Sequence, residues 1–131
     1  MKKGKFIFGI ILGLVLIFVV INFFMVKEIT VYMGIANPSK NIDMLLKLDQ
    51  DTIYNDTLEY NPFKYVVKRV RMKGVIHKLY IKSSNKNIEK ETNLLVFFDQ
   101  HLVVEFLPAG IDNKEEAIFF VRNRLTPFYL E

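Results

Sequence analysis

The pattern of apolar and polar positions divides the chain at residue 26. Residues 6–26, FIFGIILGLVLIFVVINFFMV, run for 21 positions without a charge, interrupted only by Gly9, Gly13 and Asn22. A helix rising about 1.5 Å per residue over that length crosses a hydrocarbon core of about 30 Å. Beyond it the period changes. KEITVYM, residues 27–33, sets Ile29, Val31 and Met33 on one side and Glu28, Thr30 and Tyr32 on the other, the alternation of a half-buried strand. Asn37 and Pro38 then offer an N-cap and a first-turn proline, and Ile42, Leu45 and Leu46 form an apolar stripe, so a helix is expected as far as Gln50.

Residues 49–62 are polar and turn-rich and predict a long loop. KYVVKRVRMKGVIHKLYIK, residues 64–82, predicts a hairpin turning at Lys73 and Gly74. A polar link over 83–93 leads to LLVFFDQHLVVEFL, residues 94–107, whose two apolar arms around Asp99, Gln100 and His101 predict a second hairpin in the middle of the sheet. Pro108 to Ile111 end that run. Asp112 with Glu115 supplies a capping box for a last helix, with Ala117, Ile118, Val121 and Leu125 inward, Arg122 and Arg124 at its C-terminal dipole end, and Thr126-Pro127 as its stop.

The expected fold class is therefore α+β: a single transmembrane helix over 6–26 behind a basic N-terminus (1–5), then a 27–131 domain with an antiparallel sheet and two helices. The order β-α-β-β-β-β-α is similar to that of cystatin-like folds, and the likeness covers topology only. Cystatins carry a Q-x-V-x-G inhibitory loop, which Gln100, His101, Leu102, Val103 and Val104 do not match, so the likeness implies no protease inhibition.

Charge sets the orientation of the anchor. Lys2, Lys3 and Lys5 precede the apolar run, whereas Lys27 and Lys40 are the only basic residues in the first stretch after it, so the positive-inside bias keeps the N-terminus in the cytoplasm and the domain outside. A cleaved signal peptide requires small residues close behind a shorter apolar core. Phe23, Phe24, Met25 and Val26 fit that poorly, and the pair Gly34 and Ala36 stands too far downstream. Gly9 and Gly13 form a GxxxG, the spacing at which two membrane helices approach closely, so a homodimer through this helix is one expectation; such pairs also occur in unpaired helices.

The net charge of +4 conceals a segregation. Residues 27–63 carry three Lys against six acids, 64–90 nine Lys and Arg against one acid, and 91–131 three against seven. On a hairpin turning at Lys73-Gly74, one side would carry Val66, Val70, Met72, Val75, Leu79 and Ile81 toward the core, with Lys68 and His77 as exceptions. The other would carry Tyr65, Arg69, Arg71, Lys78, Tyr80 and Lys82, with Arg69 directly across from Lys78. That like-charge pairing opposes folding unless a carboxylate, water or a bound anion relieves it, which makes these six residues the candidate anion or partner site. The competing account is a solvated sheet face crossed by acids of the same domain. Outside the membrane the available anions are lipid head groups, wall polymers and acidic protein surfaces, and nucleic acid is disfavoured.

Other chemistry is thin. Without cysteine there is no disulfide, no thiolate and no cysteine for a lipid anchor, and no cofactor is expected. The two histidines have no metal-like spacing, and Asp49, Asp51, Asp56 and Glu59 miss the EF-hand pattern at Ile53, Tyr54 and Tyr60. Ser83-Ser84-Asn85-Lys86 matches S-x-x-K without the companion elements of penicillin-binding enzymes. Lys-, Ile- and Asn-rich composition with three alanines is that of an AT-rich bacterial gene. The resulting expectation is a membrane-anchored, non-catalytic binding or accessory subunit of a bacterial envelope assembly, with an inhibitor or immunity-type protein and an envelope hydrolase as the alternatives.

Overall fold

The computed structural model describes residues 2–36, 41–108 and 117–127. A single helix, α1 (Lys2–Phe24), leads into eight strands: β1 (Lys27–Ile35), β2 (Ile42–Leu48), β3 (Asp51–Leu58), β4 (Val66–Met72), β5 (Ile76–Ser83), β6 (Ile88–Leu95), β7 (Gln100–Leu107) and β8 (Ile118–Arg124). They form two four-stranded sheets, sheet A in the order β4-β1-β7-β8 and sheet B in the order β3-β2-β5-β6. All neighbours are antiparallel except β1 and β7. One core lies between the inner faces: Ile29, Val31, Met33, Leu102, Val104 and Phe106 from sheet A meet Ile42, Met44, Leu46, Leu48, Leu79 and Ile81 from sheet B. The chain is thus broadly α+β, one N-terminal apolar helix and a sheet-rich domain. Neither expected domain helix is present among the described residues, and the cystatin-like order does not appear.

Both differences have a common cause. IDMLLKL buries Ile42, Met44, Leu46 and Leu48 in strict alternation, and this two-residue period, satisfied by packing on sheet A, prevails over the helical stripe of Ile42, Leu45 and Leu46. The expected N-cap at Asn37-Pro38 lies outside the described residues. At the C-terminal end Phe119 is buried and Val121 half-buried while Ile118 and Arg122 face out, and residues 118–124 pair with β7. The expected cap at Asp112 and Glu115 lies outside the described residues, as does Pro108's successor stretch 109–111.

The loop expected over 49–62 contains β3, an edge strand whose polar exposed side chains hide its strand character. Asp49, with φ of 56°, turns the chain between β2 and β3. The polar link over 83–93 is the Ser84–Asn87 turn followed by β6.

The largest revision concerns residues 64–82. β4 pairs with β1 in sheet A and β5 pairs with β2 and β6 in sheet B, so no hairpin joins them. Lys73, Gly74 and Val75 cross from one sheet to the other, with Gly74 at φ 105°, a conformation that disfavours any side chain there. The expected hairpin over 94–107 separates in the same way, Leu94 and Leu95 ending β6 in one sheet and Gln100 opening β7 in the other.

Arg69 consequently faces Thr30, and Lys78 faces Asn93. Because the chain has no native cysteine, the combination Thr30→Cys with Arg69→Cys should close a disulfide on mild oxidation, directly paired antiparallel residues lying about 4.5–5.5 Å apart. The combination Arg69→Cys with Lys78→Cys should not. Cross-linking of the second pair would restore the single hairpin and overturn the sandwich.

Candidate functional site

The six residues expected to share one surface are divided between the two outer faces of the sandwich. On sheet B, Lys78, Tyr80 and Lys82 point outward beside β6, which answers them with acids. Lys78 Nζ lies 3.1 Å from Glu91 Oε1, the Tyr80 hydroxyl donates to Glu89 Oε2 at 2.9 Å, and Lys82 stands directly across from Glu89. The bond to Glu89 leads the influences that push the Tyr80 phenol pKa upward. This half matches the competing account, a solvated and internally balanced face.

Sheet A carries the other half in a different company. Its outer face reads in rows across β4, β1, β7 and β8: Arg69, Thr30, His101 and Arg124 in one, Val67, Tyr32, Val103 and Arg122 in the next. The four strands of a row span about 14 Å at the usual spacing. Arg122 lies over the Phe120 ring at 5.3 Å, and the Tyr32 hydroxyl sits 3.3 Å from His101 Nδ1. One row nearer the start of β1, Arg71 reaches Glu28 at 3.6 Å while remaining largely exposed. Neither Arg69 nor Arg122 pairs with a carboxylate among the described residues.

Glu105, an acid in the middle of this face, is already engaged. Tyr65, just ahead of β4, lays its ring over Gly34 and hydrogen-bonds Glu105 on the far side of β1. A Cβ on Gly34 would stand 2.6 Å from the Tyr65 ring, so the glycine is the gap through which the tyrosine reaches. Burial, then the bond to Glu105 and its charge, push the Tyr65 pKa well above the ordinary phenol value. Tyr65 also borders an open cleft of about 630 Å³ between the end of β3 and the start of β4, with Glu59, Tyr60 and Lys64 on its walls.

Of the residues on this face, sequence reasoning had singled out Tyr65, Arg69 and Arg71 and had not placed Arg122, Arg124, Tyr32 or His101 beside them. The available signal was the alternation in IFFVRNR, outweighed by a capping box that suggested a helix. The two exceptions on the expected core side also resolve. Lys68 lies exposed on edge strand β4, where charge discourages further strand pairing. His77 is buried beneath Gly74, its Nδ1 2.7 Å from Asp49 Oδ2.

Among the described residues, no three His, Asp or Glu side chains gather closely enough to hold a metal. His77 Nε2, the atom a nucleophile would have to meet, is buried without a hydrogen-bond partner among the described residues. Ser83, the serine of the S-x-x-K string, is fully buried and donates to Asp43 Oδ1 at 2.8 Å. Gly9 and Gly13 have open space around them, so within one chain they contact nothing beyond their own helix. The apolar tail Phe128, Tyr129 and Leu130 lies outside the described residues. Comparison with protein-family models and with curated proteins finds no match for this chain.

Proposed function

We propose that this chain is a single-pass, membrane-anchored and non-catalytic binding subunit of a bacterial envelope assembly, whose partner presents an acidic surface to the outer face of sheet A. The observation that carries this reading is the pair Arg69 and Arg122, neither of which meets a carboxylate among the described residues; Arg124 and Arg71, the latter paired with Glu28, lie on the same face. A folded domain ordinarily answers surface cations as sheet B does, with acids one strand away. Planar guanidinium groups beside Tyr32 and His101 suit bidentate recognition of carboxylates. The burial of His77 Nε2, without a hydrogen-bond partner among the described residues, supports a binding role over hydrolysis.

The anchor supports the location. Among the described residues, one helix is long and apolar enough to cross a membrane. The basic N-terminus then belongs in the cytoplasm and residues 27–131 outside. Protease added to intact spheroplasts should digest the domain and spare the amino end, and full resistance would overturn this topology.

Photo-crosslinkers placed at Arg69 and at Arg122 in intact membranes should capture the same protein, and Arg71→Glu with Arg124→Glu should abolish the adduct. Crosslinkers at Lys78 and Lys82 should capture none. Equal capture from both faces would move the site elsewhere. Adducts to lipid or wall polymer at Arg69 and Arg122 would replace the protein partner by an anionic envelope component.

A further inference from the structure

The end of the sandwich nearest α1 is apolar where a soluble domain would be polar. Ile76 and Leu95, paired across β5 and β6 on the outer face of sheet B, are 70% and 56% exposed, and Phe98 in the following turn is 56% exposed. Phe97 stacks on Phe18 of α1 with ring centroids 6.1 Å apart, and Phe98 meets the same ring at 6.2 Å. Phe18 lies six residues before the end of α1 at Phe24, about 9 Å back along the helix axis. A side chain resting on Phe18 therefore sits at the depth of the last turns of the membrane-crossing helix.

Both sides of this contact are fixed. Lys27 is buried and donates from Nζ to Asn22 O and Gly74 O, each at 2.6 Å, clamping the end of α1 to the β4–β5 crossover. Its ammonium also complements the negative end of the helix dipole, and burial lowers its pKa. The Phe97–Phe98 turn is held by Val96 N to Val75 O at 2.7 Å and by Glu28 N to Asp99 Oδ1 at 2.8 Å. Such a turn presents its rings without needing to fold on contact.

We propose that Phe97 and Phe98, flanked by Ile76 and Leu95, insert into the phospholipid leaflet that α1 enters, so that the domain docks on lipid by a built apolar rim as well as by its tether. Lys73 sits at the same end of the strands and suits the head-group level above the rings. The proposal rests on α1 crossing a membrane. Exposed apolar side chains continuous with such a helix are covered by the lipid around it.

The chain contains no tryptophan, so single replacements report without background. Phe98→Trp, Phe8→Trp and Phe63→Trp are made in the full chain and reconstituted into phosphatidylcholine vesicles with brominated acyl chains. Phe8 reports on the membrane span, and Phe63, 84% exposed in the loop before β4, on the far end of the domain. Phe98→Trp should lose most of its emission, more to bromines high on the chain than to bromines near the bilayer centre, while Phe63→Trp keeps its emission. Quenching of Phe8→Trp with none at Phe98→Trp overturns the docking alone. Absence of quenching at Phe8→Trp overturns the membrane span and the docking with it.

Discussion

Replacing Phe106 by alanine should lower the stability of the domain by about 3–5 kcal/mol, the cost of emptying an aromatic site in a closed core. Phe106 is 1% exposed on β7, a central strand, and packs edge-on against Phe119 with centroids 5.9 Å apart. It stands opposite Ile35 on β1 as well, so three strands of sheet A converge on it. Such a loss is a large share of the roughly 5–15 kcal/mol that holds an ordinary domain together. For about a hundred residues it corresponds to a fall in Tm of about 12 °C or more, read from the near-UV circular dichroism of the tyrosines in detergent. Phe120→Ala, one position along on the outer face, should cost much less. Equal effects would mean that the inward and outward faces of β8 have been assigned wrongly.

Asp43→Ala should cost about 1–3 kcal/mol, because one carboxylate organises the whole β5–β6 turn. It accepts from Ser83 Oγ and Ser84 N at 2.8 Å and from Asn85 N at 2.9 Å. Burial by itself raises the Asp43 pKa, and these bonds outweigh it, leaving the group below the usual carboxylate range. Asp49 behaves alike: burial raises its pKa, while hydrogen bonds from His77 and Lys78 N and the charge of His77 bring it below the ordinary value. A depressed folded-state pKa gives stability that is complete above the unfolded value, about 3.9, and is lost as pH falls through the folded one. The Tm of the native chain should therefore decline as the pH is lowered from about 5 to about 2, and less steeply once Asp43 is removed. An Asp43→Ala variant with unchanged Tm at neutral pH, or an unchanged acid slope, would show that the turn does not depend on this carboxylate.

How far the fold was legible depends on where its information is stored. Strand β1 was readable over residues 27–33, because Ile29, Val31 and Met33 alternate with polar neighbours and one face is buried, and the structure carries it on to Ile35. Strand β3 was not, since an edge strand needs no apolar alternation to pair with β2. The helices expected near Ile42 and after Asp112 rested on an apolar stripe together with a capping signal, and a cap is worth only about 1 kcal/mol, so both yield to a buried strand face. For the candidate site, the positive charge of residues 64–82 was plain, and its division between two surfaces was not. The turn at Lys73-Gly74 has hairpin chemistry, yet which sheet each arm joins depends on partners far away in sequence: β1 for Arg69 and β6 for Lys78.

The amino-acid sequence by itself determined the apolar N-terminal helix, the strand leaving it and the surplus of cations between 64 and 90, because each depends on composition and period within a short window. Tertiary structure alone decided that Arg69 shares a face with Arg122 and Arg124, that Glu89 and Glu91 answer the cations of β5, and that Phe97 rests on Phe18. Those outcomes follow from long-range pairing between sheets, where burial of two whole faces outweighs any local preference of the segments that meet.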